Sequence, residues 1–440
     1  MDDIAAVVLA AGKGVRMQSD LPKVLHRILG APMVRFPLDA LDAAGIGRKV
    51  VVLGVGREQV EKVLAGRPGV VFALQPEPRG TADAVAAGLS ALEGYEGPVV
   101  VAYGDTPLLG AASVRAILEA HGRARAACTV ATAEAPDPHG YGRIVRDREG
   151  RLARIVEEKD ATPEERAIRE INGGLYAFEA ARLRAALGRV EPDNRAGEYY
   201  LTDAVRLLLA GGDRIATVRL PFAEMAGVNT RRELVEAAGA LALRRAHELV
   251  DAGVDVLAPA LTWIEVDVSV GEGTTIEPFT VIRRGARIGA RCHVGPFAHV
   301  AEGTVLEDEA EIGNFVEVKR TTVRRGAKAK HLSYLGDGDI GPKANIGAGT
   351  VFCNYDGKTK SKTTVGERAF VGSGTMLVAP VEVGPGATTA AGAVVTKGKK
   401  VPPGEVWAGV PARPFSRRDV EPGRGASPGT GPGTGTGGGT

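Results

Sequence analysis

From Val270 the chain places one aliphatic residue at every sixth position: Val270, Ile276, Ile282, Ile288, Val294, Val300, Leu306, Ile312 and Val318. Glycine often follows, as at Gly271, Gly289, Gly295 and Gly313. After an irregular stretch the period returns at Ile340, Ile346 and Phe352. It breaks at "NYDGKTKSKT" (354–363) and resumes at Val365, Val371, Leu377 and Val383. A sustained hexapeptide period predicts a parallel β-helix, in which each short flat strand turns one aliphatic side chain into a prism and small residues turn the corners. One coil cannot bury its apolar face alone, so the coils have to stack. The interruption at 354–363 does not fit inside the prism and is expected as an excursion on its surface.

The first half reads differently. "IAAVVLAA" (4–11), "KVVVLGV" (49–55), "GVVFALQ" (69–75) and "PVVVAYGD" (98–105) have strand composition, and helical patterns stand between them at 33–45, 57–66 and 81–94. Apolar strands alternating with helices predict an α/β domain: a parallel, doubly wound (Rossmann-like) sheet covered on both faces. Ligands of such sheets bind beyond the carboxyl ends of the strands. Leu9–Lys23, Gln75, Gly80–Thr81 and Tyr103–Asp105 all fall there. Between the halves, "NTRRELVEAAGALALRRAHELVDAG" (229–253) opens with Thr230 and Glu233 at capping-box spacing, with Leu234, Leu241 and Leu249 on one stripe, which predicts a long connecting helix. The expected organisation is a first domain at 1–229, a linker helix at 230–252, a β-helix domain at 253–413 and a tail at 414–440. The tail segment "GRGASPGTGPGTGTGGGT" offers nothing to pack and is read as disordered.

Composition narrows the class. Among 440 residues, 55 Lys and Arg face 53 Asp and Glu, a formal charge of +2 that argues against a broad nucleic-acid-binding surface. Cys128, Cys292 and Cys353 are widely spaced, form no metal pattern and suit a reducing compartment. The N-terminus is acidic and its short apolar run ends in a glycine loop, so it reads as a strand rather than a signal peptide. No run approaches the roughly 20 apolar residues of a membrane span. A soluble, cytoplasmic protein with neither membrane nor nucleic acid as partner is expected.

The loop "LAAGKGVRMQSDLPK" (Leu9–Lys23) has G-x-G at Gly12 and Gly14 but Met17 where a dinucleotide fingerprint has its third glycine, and it lacks the Walker pattern. Backbone N–H groups beside these glycines can face an anion, Arg16 offers a bidentate fork and Lys23 a mobile charge, with Lys13 a third cation. Asp105, at the end of a buried strand, suits a metal carried by phosphates, and Asn229 in "GVN" is a possible second oxygen ligand.

In order along the chain stand "LAAGKGVRM", Pro22–Lys23, Gln75, Gly80–Thr81, "YGD", "GYGRIV", "VEEKDAT", "EINGGLY" and "GVN", then "NFVEVK", "HLSYLGD", "NIGAGT", "CNYDG" and "FVGSGT". The ordered set, over about residues 4–413, resembles the bifunctional N-acetylglucosamine-1-phosphate uridylyltransferase/glucosamine-1-phosphate acetyltransferase (GlmU) family. The resemblance implies a left-handed β-helix of about three hexads per turn, assembled as a homotrimer. It implies a transferase that supplies UDP-N-acetylglucosamine for cell-wall and lipopolysaccharide precursors, with UTP and acetyl-CoA as co-substrates and Mg²⁺ as cofactor.

In the first domain the resemblance implies that Leu9, Ala10, Ala11 and Gly12 line UTP together with Tyr103 and Gly104. Gln75 and Gly80 read the uracil edge beside Thr81. Gly142, Glu157 and Asn172 hold the sugar. Asp105 and Asn229 hold Mg²⁺, and Arg16 and Lys23 neutralise the phosphates. In the β-helix it implies His331 as the base that deprotonates the amine, oriented by Glu317. Lys319, Tyr334, Asn345 and Lys360 bind the amino-sugar phosphate. Ala348, Asn354, Tyr355, Ser373 and Ala391 lie on the acetyl-CoA side. Two positions depart from the pattern: Ala301 and Gly409 stand where the family has arginines. Lys330, beside His331, is expected to replace part of that charge. The departures leave a second reading, a uridylyltransferase whose β-helix only assembles the protein. A third reading, a non-catalytic regulatory scaffold, has no need of Arg16, Lys23, Asp105 and Asn229 together.

Overall fold

The structure is a computed structural model that describes residues 4–12 and 14–415, so the expectation for the tail lies outside the described residues. The chain divides into two compact units between Arg244 and Arg245, within the long helix Arg231–Asp251. That helix opens with the capping box read from the sequence: Thr230 Oγ1 accepts from Glu233 N at 3.2 Å, and the Glu233 carboxylate accepts from Thr230 N at 3.1 Å.

The first unit is built on one sheet. Its strands are β1 (Ala5–Leu9), β2 (Arg48–Leu53), β3 (Val70–Leu74), β4 (Pro98–Tyr103), β5 (Cys128–Glu134), β6 (Arg143–Arg146), β7 (Leu152–Val156), β8 (Glu170–Glu179) and β9 (Ile215–Arg219). The order is β9-β5-β8-β4-β1-β2-β3, with β6 pairing off β8 and β7 pairing with β6. Alternate residues of β1 feed two cores. Ala6 and Val8 pack with Leu38, Leu41, Val114 and Ile117 of the helices Arg35–Ala43 and Ala111–Ala124. Val7 and Leu9 pack with Val85, Leu89 and Leu183 of the helices Thr81–Ser90 and Ala180–Leu187. Both faces of β1 are therefore buried, as its uninterrupted apolar run demands. The sheet is mixed rather than wholly parallel. β8 runs antiparallel between β4 and β5, and its register shifts between Asn172 and Tyr176.

In the second unit the hexad governs everything. Strands of two to four residues form three faces, with ten, eight and eight strands among the described residues. Strands pair in parallel with the strand one coil on, as Val281 beside His299 and His299 beside Glu317, and the strand Arg413–Pro414 instead returns antiparallel to Val406–Ala408. The aliphatic positions from Ile276 to Val318 are all buried inside the prism, as are Ile340, Ile346, Phe352, Val365, Val371, Leu377 and Val383. The stretch that broke the period in sequence is also coil. Val323, Ala329 and Leu335 point inward, and the steps Val318–Val323 and Leu335–Ile340 are each one residue short. The excursion after Asn354 stays outside: residues 355–360 are exposed and pinned by a bridge between Tyr355 and Lys360, and Thr363 re-enters the coil.

The coils approach so closely that some positions admit no side chain. A Cβ added at Gly313 meets the Lys330 carbonyl oxygen of the next coil at 2.0 Å. Gly239, in the long helix, has nothing within 4 Å. Gly313→Ala should therefore lower the melting temperature of the β-helix. Gly239→Ala should stabilise the protein by about 0.5–1 kcal/mol through the lost backbone entropy of glycine. Thermal denaturation of the two variants checks both signs.

Candidate active sites

At the carboxyl edge of the first sheet lies a cleft of about 420 Å³. Its wall takes Leu9, Ala10, Ala11 and Gly12 from the loop after β1, and Gln75, Gly80 and Thr81 from the β3–helix connection. Tyr103 and Asp105 come from the end of β4. These sequence-predicted residues thus share one cavity, with Lys23 between them and Glu198 and Pro78 on the rim.

Local structure explains how they come together. Gly104 N donates to Leu9 O at 2.9 Å, so the ends of β1 and β4 stay in register past the sheet. Gly80 has φ +132, and a Cβ there meets Tyr199 O at 2.4 Å, so only glycine fits at the start of the helix Thr81–Ser90. Thr81 Oγ1 accepts from Leu201 N at 2.9 Å. Gln75 is 5% exposed, and its Nε2 donates to Gly80 O at 3.0 Å and to Asp83 at 2.8 Å. That leaves its carbonyl oxygen to accept from a ligand. Gly14 has φ +61 and lies against Lys23, whose Cβ an added side chain would meet at 2.6 Å. Met17, in the third-glycine place, is wholly buried and anchors the loop.

Asp105 and Asn229 are distant in sequence but adjacent here. Val228 N donates to Asp105 O at 2.8 Å, and Asn229 Nδ2 donates to Gly227 O at 3.2 Å, which turns the Asn229 oxygen outward. The Lys23 ammonium forms a close ion pair with Asp105 and donates to Asn229 Oδ1 at 2.7 Å. A carboxylate and an amide oxygen thus already hold one positive charge between them, the donor set a hard divalent cation takes.

Gly142, Glu157 and Asn172 form a second group. Asn172 N donates to Gly142 O at 2.8 Å, and a Cβ at Gly142 would stand 3.4 Å from the Glu157 carboxylate. Burial raises the Glu157 pKa, opposed by a hydrogen bond from Thr202 Oγ1 at 2.9 Å. Tyr103 lies within electrostatic reach of both Glu157 and Asp105, and burial above all, with those two carboxylates, holds its hydroxyl protonated. Asn172 begins the β8 irregularity, which brings Gly174 against the Tyr103 ring.

Arg16, itself exposed, sits in the turn Val15–Met17, is not among the residues lining the cleft, and has no ion-pair partner among the described residues. Arg231, which the sequence gave no reason to single out, donates to Met17 O at 3.1 Å and Gln18 O at 3.3 Å and so fixes the same loop.

In the second unit the predicted residues separate into two columns on either edge of one prism face. His331, Ala348, Ser373 and Ala391 each precede that face. They stand on successive coils, tied by Gly349 N to Leu332 O, Gly374 N to Ala348 O and Gly392 N to Ser373 O at 3.0, 2.7 and 2.8 Å. Asn345 lies on the strand leading into this edge. On the far edge, a Cβ at Gly336 would meet both the Tyr334 hydroxyl and Asn354 Nδ2, at 2.5 and 2.8 Å. Lys319 pairs in register with Gly336. Asn354 Nδ2 donates to Asp337 at 2.5 Å, and Arg320 grips Asp337 bidentately at 2.6 and 2.7 Å. Lys360, in the excursion that also carries the exposed Tyr355, interacts electrostatically with the same Asp337.

Two expectations change. Glu317 makes no hydrogen bond to His331. It belongs to the next face, where its carboxylate stands 3.7 Å from His299 Nδ1. His331 Nδ1 is instead 2.9 Å from Asn314 Oδ1, its register partner one coil back. Nδ1 therefore carries the proton and Nε2 is left as the basic nitrogen. Lys330 is not a free cation, because its ammonium pairs at 2.6 Å with Glu311, which also holds Lys328 at 2.7 Å. Ala301 follows the strand His299–Val300, is 5% exposed and brings no charge beneath Lys319. Gly409 follows the strand Val406–Ala408 and its carbonyl accepts from Val394 N.

Residues 6–189 match the MobA-like NTP transferase domain, and residues 267–300 and 285–320 match the bacterial transferase hexapeptide repeat. The chain is 45% identical to the bifunctional protein GlmU of Pelotomaculum thermopropionicum over 86% of its length and 90% of that protein's. It is 43% identical to that of Mycobacterium avium over 91% and 90%, and 42% identical to that of Geobacter metallireducens over 92% and 95%.

Imidazole ¹H–¹⁵N correlation spectra of the ¹⁵N-histidine-labelled protein should show His331 as the Nδ1–H tautomer. In Asn314→Ala the same resonances should report a tautomer mixture, whereas Glu317→Ala should leave them in place.

Proposed function

The chain belongs to the bifunctional GlmU family, and we propose that its two units carry out the two successive transfers that make UDP-N-acetylglucosamine. In the β-helix, the amine of glucosamine 1-phosphate attacks the acetyl carbonyl of acetyl-CoA and CoA leaves as the thiol. In the first unit, a phosphate oxygen of N-acetylglucosamine 1-phosphate attacks the α-phosphorus of UTP and pyrophosphate departs. The observation that carries the reading is the meeting of Lys23, Asp105 and Asn229 in a cleft whose wall is the nucleotide-side set.

No protein nucleophile is needed for uridylyl transfer, so the residues act by positioning and by neutralising charge. The Gln75 carbonyl oxygen faces the uracil edge, and Gly12 lets the backbone approach the phosphates. Glu157 and Asn172 accept and donate to sugar hydroxyls. Lys23, released from Asp105, meets the phosphate oxygens, joined by the exposed Arg16 side chain swinging in. The Asp105 and Asn229 oxygens suit Mg²⁺, which supplies further neutralisation at the phosphates when bound.

For acetyl transfer, Nε2 of His331 takes the amine proton, while Asn314 keeps the other ring nitrogen protonated. The column Ala348, Ser373 and Ala391 offers a shallow track of small residues for the extended arm of acetyl-CoA. Lys319, Tyr334, Asn345 and Lys360 take the amino-sugar phosphate.

Since the histidine column and the Asn354 group stand on opposite edges of one face, a second copy of the chain is the natural supplier of the missing half. Self-association is further supported by Phe279, Phe297 and Phe315. They stack along the His331 corner at 4.8 and 5.2 Å between centroids and are each about half exposed. An apolar column of this kind calls for burial. A homotrimer acting in the cytoplasm fits this reading, and no helix among the described residues is long and apolar enough to cross a membrane.

The test is to supply glucosamine 1-phosphate, acetyl-CoA, UTP and Mg²⁺ and to follow CoA and pyrophosphate separately. Both should appear, with CoA first. Pyrophosphate released only from pre-acetylated sugar, without CoA, would leave the uridylyltransferase reading that Ala301 favours. Lys23→Met should lower uridylyl-transfer kcat by about 10²–10³-fold, the range for loss of one charge-stabilising donor, and leave acetyl transfer unchanged. Sharing of the second site between chains is tested by co-expression. His331→Ala and Asn354→Ala proteins should each lack acetyl transfer, yet regain it when co-assembled. Mixed assemblies that stay inactive would place the whole site in one chain.

A further inference from the structure

At the opposite edge of the first sheet, by the amino ends of β1, β4, β5 and β9, lies a cavity of about 760 Å³. It is larger than the catalytic cleft, shares no lining residue with it, and has no part in the two transfers. Its floor is apolar, made by Ile4, Leu118, Ala126 and Ala127. Four guanidinium groups stand around it, from Arg115, Arg125, Arg182 and Arg214, against the carboxylates of Glu119, Glu179 and Asp213.

The arginines keep hydrogen-bonding capacity. Arg115 donates to Ala43 O and Arg214 to Ala124 O, each through one Nη1 at 2.9 Å. Arg182 stands 3.6 Å from Asp213, and the Arg125 side chain has no partner among the described residues. A guanidinium has five N–H donors, so one bond leaves the rest for a ligand. Two of the three acids, Asp213 and Glu179, are less available. Asp213 faces Arg182, and Glu179 is engaged with His121, which is 3% exposed. His121 Nε2 lies 3.1 Å from Glu179 Oε1, and its Nδ1 lies 3.0 Å from Thr129 Oγ1. A buried imidazole thus occupies one of the carboxylates in the wall, which tilts the free polar groups toward donors.

We propose that this cavity is a second small-molecule site, which takes an anion with an apolar or aromatic body. The apolar floor buries the body, and the arginine rim, Arg125 foremost, takes the acidic group. A cavity of this volume with an apolar base and a few convergent polar groups has the proportions of a ligand site.

The full-length protein offers a direct test with 8-anilino-1-naphthalenesulfonate, an aromatic body bearing one anionic group. Saturating UDP-N-acetylglucosamine is present throughout to occupy the catalytic cleft. Titration should show a saturable fluorescence rise. Gly122→Trp is suited to block the site. Gly122 lines the cavity on the helix Ala111–Ala124, and a Cβ there meets nothing within 4 Å. This variant should retain uridylyl transfer, showing that it folds, and lose the saturable component. Arg125→Glu should weaken binding at least tenfold, and the uncharged N-phenyl-1-naphthylamine should bind at least tenfold more weakly than the sulfonate. Unchanged binding in Gly122→Trp, or no saturable rise while UDP-N-acetylglucosamine is present, would overturn the site. Equal binding of the neutral and charged probes would overturn its assignment to anions.

Discussion

Everything in the second unit depends on one aliphatic side chain per hexad being buried against its counterparts in the coils above and below. Each hexad turns its aliphatic residue into the interior, and the backbones of successive coils are bonded in parallel register. A residue's place in its hexad therefore decides the column in which it stands. Side chains brought together by this rule are separated by one coil of sequence and are almost never neighbours along the chain. His331 meets Asn314 for this reason, and Arg320 meets Asp337 in the same way. The groups we propose as active in the β-helix are outward residues on a scaffold fixed by its inward ones.

The first unit achieves convergence by different means. Its parallel strands end on a common edge, and the loops leaving that edge are tied to each other by a few specific bonds. Val228 to Asp105, Gly104 to Leu9 and Arg231 to Met17 join segments far apart in sequence. Lys23 then closes the arrangement by sharing its charge between Asp105 and Asn229. In the reaction we propose, a lysine held in this way is stored in place, meeting a carboxylate until a more highly charged phosphate competes for it. The loop is anchored where Met17 is buried and open where Gly12 has no side chain, which suits a wall that a nucleotide approaches closely.

These two modes explain what the sequence made legible. Buried strands and inward hexad positions leave periodic apolar signals, so both architectures could be read directly. A count held strictly at six loses phase where the coil shortens by one residue, and Val323, Ala329 and Leu335 were hidden for that reason alone. The antiparallel placement of β8 left no such signal, because a strand buried on both faces looks the same in either direction. The cleft residues Gln75, Gly80 and Asp105 were legible from their place at strand ends. That Asn229 reaches Asp105 was not, since the contact is made by a returning segment whose spacing carries no information. Glu317 was carried over from the family resemblance, which does not count coils. Counting one coil back from His331 leads instead to Asn314, a rule that became usable once the shortened coils were located.

One corner of the prism shows how a single backbone geometry serves two purposes. Phe279, Phe297, Phe315 and Leu332 occupy equivalent corner positions on successive coils, all with positive φ and all exposed. The next three coils place Gly349, Gly374 and Gly392 there, again with positive φ. The backbone is the same throughout, yet the side chains change from bulky and apolar to none. The bulky half offers apolar surface that gains free energy only when covered. The glycine half, flanked by Ala348, Ser373 and Ala391, leaves the corner low enough for an extended molecule to lie along it. His331 stands where one half gives way to the other. For the base we propose at that junction, the apolar column on one side would limit water at the amine, and the open track on the other would let a long acyl carrier bring up its reactive end.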